Sequence, residues 1–272
     1  MNVARHASAS SVVSFAGRGV TSRQTVSVEV EQAEPGRGIV FAVRQGGAAV
    51  EIPARWDFVV NTLRNVVLGA QGIRLCIVEH FLAAASLWGL DDLLVRVDGL
   101  EMPLGDGSAL FWIELFKAAG WERKTVEAHL ELKEPVTVQK GERLLMAVPD
   151  DRFSMSYHMD WDHPMVGKRW QRWDAGMDPV EIAAARTFGP LKEHQLLGLT
   201  DEVVSLTETG FTQELRFQDE PVRHKLLDLL GDLRLSGVNP MRFKARFLSI
   251  KAGHELDVEF ARRLAQAISP KA

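Results

Sequence analysis

Stretches of alternating polar and apolar residues, interleaved with segments of helical spacing, run through the first half of the chain. Residues 25–30 alternate with period two, which is typical of a half-buried strand. Glu79–Trp88 is apolar nearly all round and rich in alanine, so it is predicted to be a buried helix that ends at Gly89. The same criteria predict three further elements: strands over residues 36–43 and 93–97, and a helix over residues 109–119.

The second half repeats this succession of strands and helices after a polar, charged stretch over residues 121–126. Its predicted strands cover residues 127–138, 144–148, 153–159 and Phe243–Ile250, and its predicted helices cover residues 178–185, 221–235 and 256–267. We therefore predict an α+β fold of two similar domains, each a β-sheet with helices, over residues 1–122 and 127–272. The shared rhythm indicates a duplicated unit, although no residue-level repeat accompanies it.

Composition and charge narrow the class of protein without defining its function. The 272 residues include 32 Lys and Arg and 36 Asp and Glu, and the formal net charge of −4 excludes the broadly basic surface that binds nucleic acid. The one cysteine, Cys76, cannot form an internal disulfide. The first apolar run is too short and polar for a signal peptide, and the longest one, residues 81–90, is about half a membrane span. We expect a monomeric cytoplasmic protein with no transmembrane segment, and a peripheral association with a membrane stays open.

The most informative segment is residues 223–232, which carries three polar side chains at positions i, i+4 and i+8. On a helix, His224, Asp228 and Asp232 form one row, while the leucines between them lie on the other faces. A polar row among so much apolar surface needs internal partners, and an imidazole and a carboxylate four residues apart can share a metal ion. With His80 from the predicted buried helix, the set has the ligand pattern of catalytic zinc with an open fourth position.

The neighbouring polar residues suit the chemistry that such an ion supports. Glu79 precedes His80 and can take a proton from metal-activated water. His254 follows a glycine after a predicted strand, and Asp232 can hold that imidazole protonated and oriented. Each feature also has a structural interpretation, because His-x-x-x-Asp pairs are common surface ion pairs or caps, Glu-His dipeptides are commonplace, and His254 can be an ordinary loop residue. Iron(II) suits the same ligand set as zinc.

These segments resemble the zinc-dependent UDP-3-O-acyl-N-acetylglucosamine deacetylases of lipid A biosynthesis. The most specific similarity is His224-Lys-x-x-Asp228-x-x-Gly-Asp232, with Val78-Glu-His80 upstream and Gly253-His254 downstream. Further similar segments occur in the order of the family and extend the resemblance over nearly the whole chain: residues 101–108, 160–164, 185–189, 215–217 and 251–254. The resemblance implies two α+β domains whose helices pack between their two sheets. It also implies a Zn²⁺ ion held by His80, His224 and Asp228, with Glu79 as the general base.

The resemblance assigns roles to other residues as well. His254, with Asp232 behind it, matches the histidine that stabilises charge and protonates the leaving amine. Thr187 matches the hydroxyl that holds the oxyanion together with the metal. Positions that meet the sugar, the phosphates or the nucleotide are matched by Phe188, Lys251, Asp160, Trp161 and Lys225, the last of which we place with the catalytic residues. The implied reaction hydrolyses the N-acetyl amide of a UDP-linked, 3-O-acylated N-acetylglucosamine and releases acetate.

Several departures from the family lie close to the chemistry, and one of them, after Gly189, affects a segment that in the family helps to form the passage for the acyl chain. In its early Gly-x-Gly-Leu-His-(Ser/Thr)-Gly element, the chain has Thr21 in place of the histidine and Arg23 in place of the last glycine. Arg64 replaces a small or apolar residue, and the segment after Gly189 is shorter. Three functions therefore stay open: an ordinary lipid A enzyme, with or without a shorter acyl chain, a paralogous deacetylase of another N-acetylated sugar or nucleotide sugar, and a non-catalytic binding descendant. The last is disfavoured because every ligand and the base are present.

Overall fold

Within residues 12–199 and 203–268, which the computed structural model describes, the first half builds a five-stranded sheet, a small three-stranded sheet and two α-helices. Its elements are, in chain order, β1 (Val12–Arg18), β2 (Thr25–Gln32), β3 (Ile39–Arg44), β4 (Val50–Pro53), β5 (Val59–Asn61), β6 (Val67–Ala70), β7 (Ile73–Cys76), α1 (Glu79–Trp88), β8 (Leu93–Asp98) and α2 (Leu110–Ala118). The large sheet has the order β1-β2-β8-β3-β4. In it, β3 and β8 are parallel and the other neighbours are antiparallel.

The second half arranges its strands in the same order. Its described elements are β9 (Leu130–Glu131), β10 (Val136–Lys140), β11 (Arg143–Pro149), β12 (Ser154–Trp161), β13 (Gly167–Asp174), α3 (Val180–Ala183), β14 (Phe188–Pro190), α4 (Leu191–Leu197), β15 (Val204–Leu206), α5 (Glu220–Leu233), β16 (Phe243–Ile250) and α6 (His254–Ile268). The large sheet has the order β10-β11-β16-β12-β13, again with its third and fourth strands parallel, and the short β9 also pairs with β16. This confirms the predicted α+β fold with two similar halves, while the domain limits 1–122 and 127–272 stay a proposal.

Two helices, one from each half, lie against each other between the large sheets. All of α1 is buried, and its Phe81 packs on Phe41 of β3 with ring centroids 5.8 Å apart. Helix α5 contacts α1 on one side and β12 and β13 on the other. The two helices are in close contact at Gly231, where an added Cβ atom would overlap the carbonyl oxygen of Glu79. The missing side chain therefore lets the first turn of α1 lie directly on α5.

Each half also carries a small extra sheet at the equivalent place in its topology. In the first half β5, β6 and β7 separate β4 from α1, and in the second half β14, α4 and β15 separate α3 from α5. Residues in or next to both extra sheets line one cavity between the two halves. None of the described helices combines the length and the hydrophobicity that crossing a membrane requires.

The structure confirms the bounds of two predicted elements and corrects two others. The helix Glu79–Trp88 and the strand Phe243–Ile250 have the predicted bounds. The predicted single strand over residues 127–138 is wrong, because a turn before Pro135, which has no N–H to donate to a ladder, separates β9 from β10. The predicted helix over residues 178–185 is shortened to α3, since the backbone N–H groups of Arg186 and Thr187 donate to other segments.

Candidate metal centre and cavity

Three buried side chains from two helices converge where α1 meets α5. His80 comes from the first turn of α1, and His224 and Asp228 lie one turn apart on α5. Asp228 Oδ1 is 3.3 Å from His224 Nε2 and 3.7 Å from His80 Nε2. Within the two described ranges, this is the one group of three or more His, Cys, Asp or Glu side chains whose ligand atoms lie close enough to share an ion, all within 4.8 Å of one another.

The two oxygens of Asp228 differ in a way that fits a bound cation. Oδ2 accepts a hydrogen bond of 2.7 Å from Lys225 Nζ. Oδ1 is buried, and no group of the described residues hydrogen-bonds to it, although a buried carboxylate oxygen normally has a partner. Ligand atoms about 2.1 Å from a tetrahedral ion lie roughly 3.4 Å apart, close to the two separations observed here. The donor set therefore fits a divalent metal ion such as zinc.

The protonation states of the ligands also suit a metal. Burial lowers the pKa of His224 to about 4, so its ring is neutral at physiological pH. Burial by itself would raise the pKa of Asp228, but His224 and Lys225 lower it well below its ordinary value. His224 Nδ1 donates to the carbonyl oxygen of Ala185 at 3.0 Å, which leaves Nε2 as the lone-pair nitrogen that faces the cluster.

A buried ion pair fixes the segment that supplies this carbonyl. Arg186 Nε donates to Glu220 Oε1 at 2.8 Å, and its backbone N–H donates to the same oxygen at 2.9 Å. Glu220 is the first residue of α5, so the pair ties the segment to the helix that carries two of the three ligands. The next residue, Thr187, is held by its N–H, which donates to Gly107 O at 2.6 Å. Ala185 and Thr187 are thus positioned together with the metal ligands.

A carboxylate and an imidazole flank the cluster. Glu79 is buried, which raises its pKa, and its Oε2 accepts a hydrogen bond of 3.0 Å from the backbone N–H of Val66. His254, at the start of α6, donates from Nδ1 to Asp232 Oδ2 at 2.7 Å. Burial alone would lower the pKa of His254, but the Asp232 carboxylate outweighs it and the pKa rises to about 10. The site therefore places a buried proton acceptor and a protonated imidazole at the same cluster.

The pairing with Asp232 predicts that His254 stays protonated throughout the neutral range. In Asp232→Asn the attraction of the carboxylate is lost while the burial remains, so we expect the pKa of His254 to fall from about 10 to its ordinary value of 6.5 or below. An NMR titration of the ring protons measures this, with the exposed His129 as an internal reference. Because the folded-state pKa is the higher one, protonation stabilises the fold below pH 6.5 and this contribution is lost as the pH rises through about 10. The same His254 pKa in both proteins would contradict the role given to Asp232.

The cluster borders a cavity of about 470 Å³ that is lined by residues of both halves, and His80 is the ligand that lines it. Its polar wall includes, from the residues of the candidate site, Glu79, His80, Thr187, Lys225 and His254. Its apolar wall, which comes from both extra sheets and the loops beside them, includes Val20, Leu63, Ile77, Leu104, Pro190, Leu197, Leu199 and Val203. The cavity therefore joins a charged compartment to an apolar one.

Of the remaining predicted site residues, some line the cavity and others do not. Phe188 and Trp161 line the cavity, with their ring centroids 5.0 Å apart. Lys225 also lines it, and its ammonium group is bound to Asp228. Asp160 and Lys251 form an ion pair of 2.9 Å with each other and are not part of the cavity wall. Their predicted contacts with a nucleotide stay a prediction.

Sequence reasoning missed three features that assemble the site. The Ala185 carbonyl that orients His224 and the Glu220 carboxylate that anchors Arg186 have no signal in the spacing of residues. Gly231 does carry a signal in the sequence, because a glycine inside an otherwise regular helix lowers the stability of the helix, and such a glycine often marks a place where another backbone approaches. That signal could have indicated the contact with α1.

The fold and the site together define a class of protein: an α+β protein with a candidate metal-dependent hydrolytic centre between two similar halves. A sequence model of the family described as UDP-3-O-acyl N-acetylglycosamine deacetylase matches residues 7–266. The chain belongs to this family, which confirms the resemblance that its motifs carry.

Similar proteins with this name come from several bacteria. A UDP-3-O-acyl-N-acetylglucosamine deacetylase of Leptospira biflexa serovar Patoc is 33% identical over 266 residues, which cover 92% of this chain and 86% of the relative. Proteins of the same name from a Nostoc species and from Thermosynechococcus vestitus are each 33% identical as well. Those alignments cover 93% of this chain and 95% and 91% of the respective relatives.

Proposed function

We propose that this chain is a zinc-dependent amidohydrolase that removes acetate from the N-acetyl group of UDP-3-O-acyl-N-acetylglucosamine, in the cytoplasm, as a step of lipid A biosynthesis. The observation that carries the proposal is the buried Asp228 oxygen, which faces two imidazole nitrogens and lacks a hydrogen bond within the described residues. Family membership supplies the substrate, since the relatives carry its name.

His80, His224 and Asp228 would hold the zinc ion. When bound, zinc acts as a Lewis acid and lowers the pKa of a coordinated water towards roughly 7. Glu79 is the residue that takes the proton of the attacking water, because it is adjacent to a ligand in the chain and lines the cavity. Its burial raises its pKa, which makes it a stronger base than an exposed glutamate.

Two other side chains act on the amide itself. Thr187 lies in the cavity wall with its backbone fixed, so its hydroxyl can donate to the carbonyl oxygen as that oxygen gains negative charge. A preorganised donor of this kind typically contributes about 3–4 kcal/mol to stabilising the transition state. His254 carries a proton at neutral pH, so it can donate to the nitrogen of the leaving amine, while Asp232 keeps the ring oriented.

We assign different parts of the substrate to the two compartments of the cavity. We assign the acyl chain to the apolar wall, because burial of methylene groups is the source of affinity there. The sugar lies against the aromatic pair Trp161 and Phe188, and the nucleotide extends towards Lys251. The ion pair of Lys251 with Asp160 is available for exchange, since both side chains are partly exposed.

An acetate-release screen tests this function. With zinc supplied, we expect release from UDP-linked, 3-O-acylated N-acetylglucosamine with a higher kcat/KM than from unacylated UDP-N-acetylglucosamine or from N-acetyl sugars without UDP. The Glu79→Gln protein is the matched control, because it excludes a contaminating deacetylase. Equal rates with and without the acyl chain would indicate a paralogous deacetylase, and ligand binding without acetate release from any substrate would refute enzymatic function.

A further inference from the structure

Helix α4 borders the apolar compartment and is bound to the first half near both of its ends. In its first turn, Glu193 forms an ion pair of 3.1 Å with Arg64, from the loop between β5 and β6. At its last residue, the carbonyl oxygen of Leu197 accepts a hydrogen bond from the guanidinium of Arg23, from the loop between β1 and β2. We call Arg23 and Arg64 the arginine clasp. A cation at the carbonyl end of a helix and an anion in its first turn pair favourably with the helix dipole.

Both arginines of the clasp are held in place by their own backbones. Arg23 has φ 61° and Arg64 has φ 69°, in the left-handed region that residues other than glycine adopt at a cost. The loop of Arg23 is fixed by the buried Glu101 carboxylate, which accepts hydrogen bonds from the N–H groups of Thr21 at 2.9 Å and Ser22 at 2.7 Å. The loop that carries Arg23 is therefore anchored to the first half.

The ion pair of the clasp borders the cavity that contains the apolar compartment. The inner wall of that compartment is a hydrophobic cluster separate from the main core: Val20, Ile77, Leu104 and Val203, with Leu199 against it. Arg64, Glu193 and Leu197 line the same cavity as this cluster, together with Leu63, which is 74% exposed. An acyl chain that fills the apolar part of the cavity therefore shares it with the ion pair.

We propose that the arginine clasp limits the length of the acyl group, so that the substrate class of this chain carries a short 3-O-acyl group. The proposal rests on the proposed deacetylase function and adds the residues that determine its chain-length specificity. A long chain has to separate Arg64 from Glu193 or leave its end in water, and either outcome weakens its binding relative to a short chain.

The expected effect is moderate because the ion pair is partly exposed, and exposed pairs contribute little free energy. When the clasp is removed, the end of a long chain gains contact with apolar surface at the rim. We therefore expect the ratio of kcat/KM for a dodecanoyl substrate to that for a butyryl substrate to rise on the order of tenfold, as for the burial of two further methylene groups.

The test uses glycine substitutions, which suit the left-handed backbone at both positions and avoid a folding defect. Arg23→Gly, Arg64→Gly and their combination are assayed for acetate release from UDP-N-acetylglucosamine bearing butyryl, octanoyl or dodecanoyl at the 3-oxygen. Glu193→Gln breaks the ion pair without changing the backbone at residue 64, and it should shift the ratio as Arg64→Gly does. Hydrogen exchange of the α4 amides gives a second readout, and it should be faster in the combined variant.

The matched control is Gln71→Gly, which relieves a backbone of φ 49° in the turn between β6 and β7, at a residue that does not line the cavity. It should leave the chain-length ratio unchanged. An active wild-type protein whose ratio is the same in the clasp variants overturns this inference and leaves the deacetylase function standing. A wild-type protein that releases acetate from none of the substrates overturns the proposed function, and the inference with it.

Discussion

A Glu79→Gln protein is expected to bind its metal ion normally and to release acetate about a thousandfold more slowly than the wild type. The amide is isosteric with the carboxylate and can still accept the hydrogen bond from Val66, so the loop and the first turn of α1 keep their positions. It cannot take a proton from water, and loss of a positioned general base typically lowers a rate by about 10²–10⁴-fold. Steady-state acetate release, with the metal content measured on the same sample, separates a chemical defect from a binding defect.

The stability of the Glu79→Gln protein distinguishes a catalytic role of Glu79 from a structural one. A buried carboxylate near His80 and Asp228 is costly for the fold, so the neutral glutamine is expected to leave the midpoint of unfolding unchanged or to raise it. Lower stability together with lower activity would instead point to a structural role. Turnover close to that of the wild type would remove Glu79 from the mechanism.

The sequence predicted elements whose burial is uniform and missed those that depend on distant partners. Helix α1 and strand β16 have the predicted bounds because one is apolar on every face and the other alternates clearly. Strand β13 is GKRWQRWD, which reads as a polar loop, and it becomes a strand only because β12 pairs with it along eight residues. The extra sheets, such as the two short strands β14 and β15, likewise depend on pairing that no local pattern encodes.

The candidate site could be predicted only where its residues are close together in the sequence. The spacing of His224, Asp228 and Asp232 is local, so a helix brings them to one face without further information. The partnership with His80, which lies 144 positions before His224, depends on the packing of α1 on α5, so the residues alone offered it as a hypothesis and the resemblance to a family supported it. Local spacing could not predict the carbonyl of Ala185 either, because a backbone group carries no residue identity.

The roles of Arg23 and Arg64 could be inferred only from their contacts in the structure. In the sequence Arg23 replaces a glycine of the family's early element, and Arg64 replaces a small or apolar residue. In the structure both side chains reach α4, from opposite loops of the first half. The two replacements, which are unrelated in the sequence, therefore both contact the same helix.

The central claim is that His80, His224 and Asp228 hold one divalent metal ion, and metal analysis of the purified protein tests it most directly. We expect about one zinc or iron ion per wild-type chain, and a nearly complete loss in His80→Ala and in His224→Ala, because two ligands rarely retain an ion that three hold. His194→Gln is the matched control: this histidine lines the same cavity, is bound to Ser205 rather than to the cluster, and its replacement should leave the metal content unchanged. Undiminished metal in both alanine variants would contradict the account.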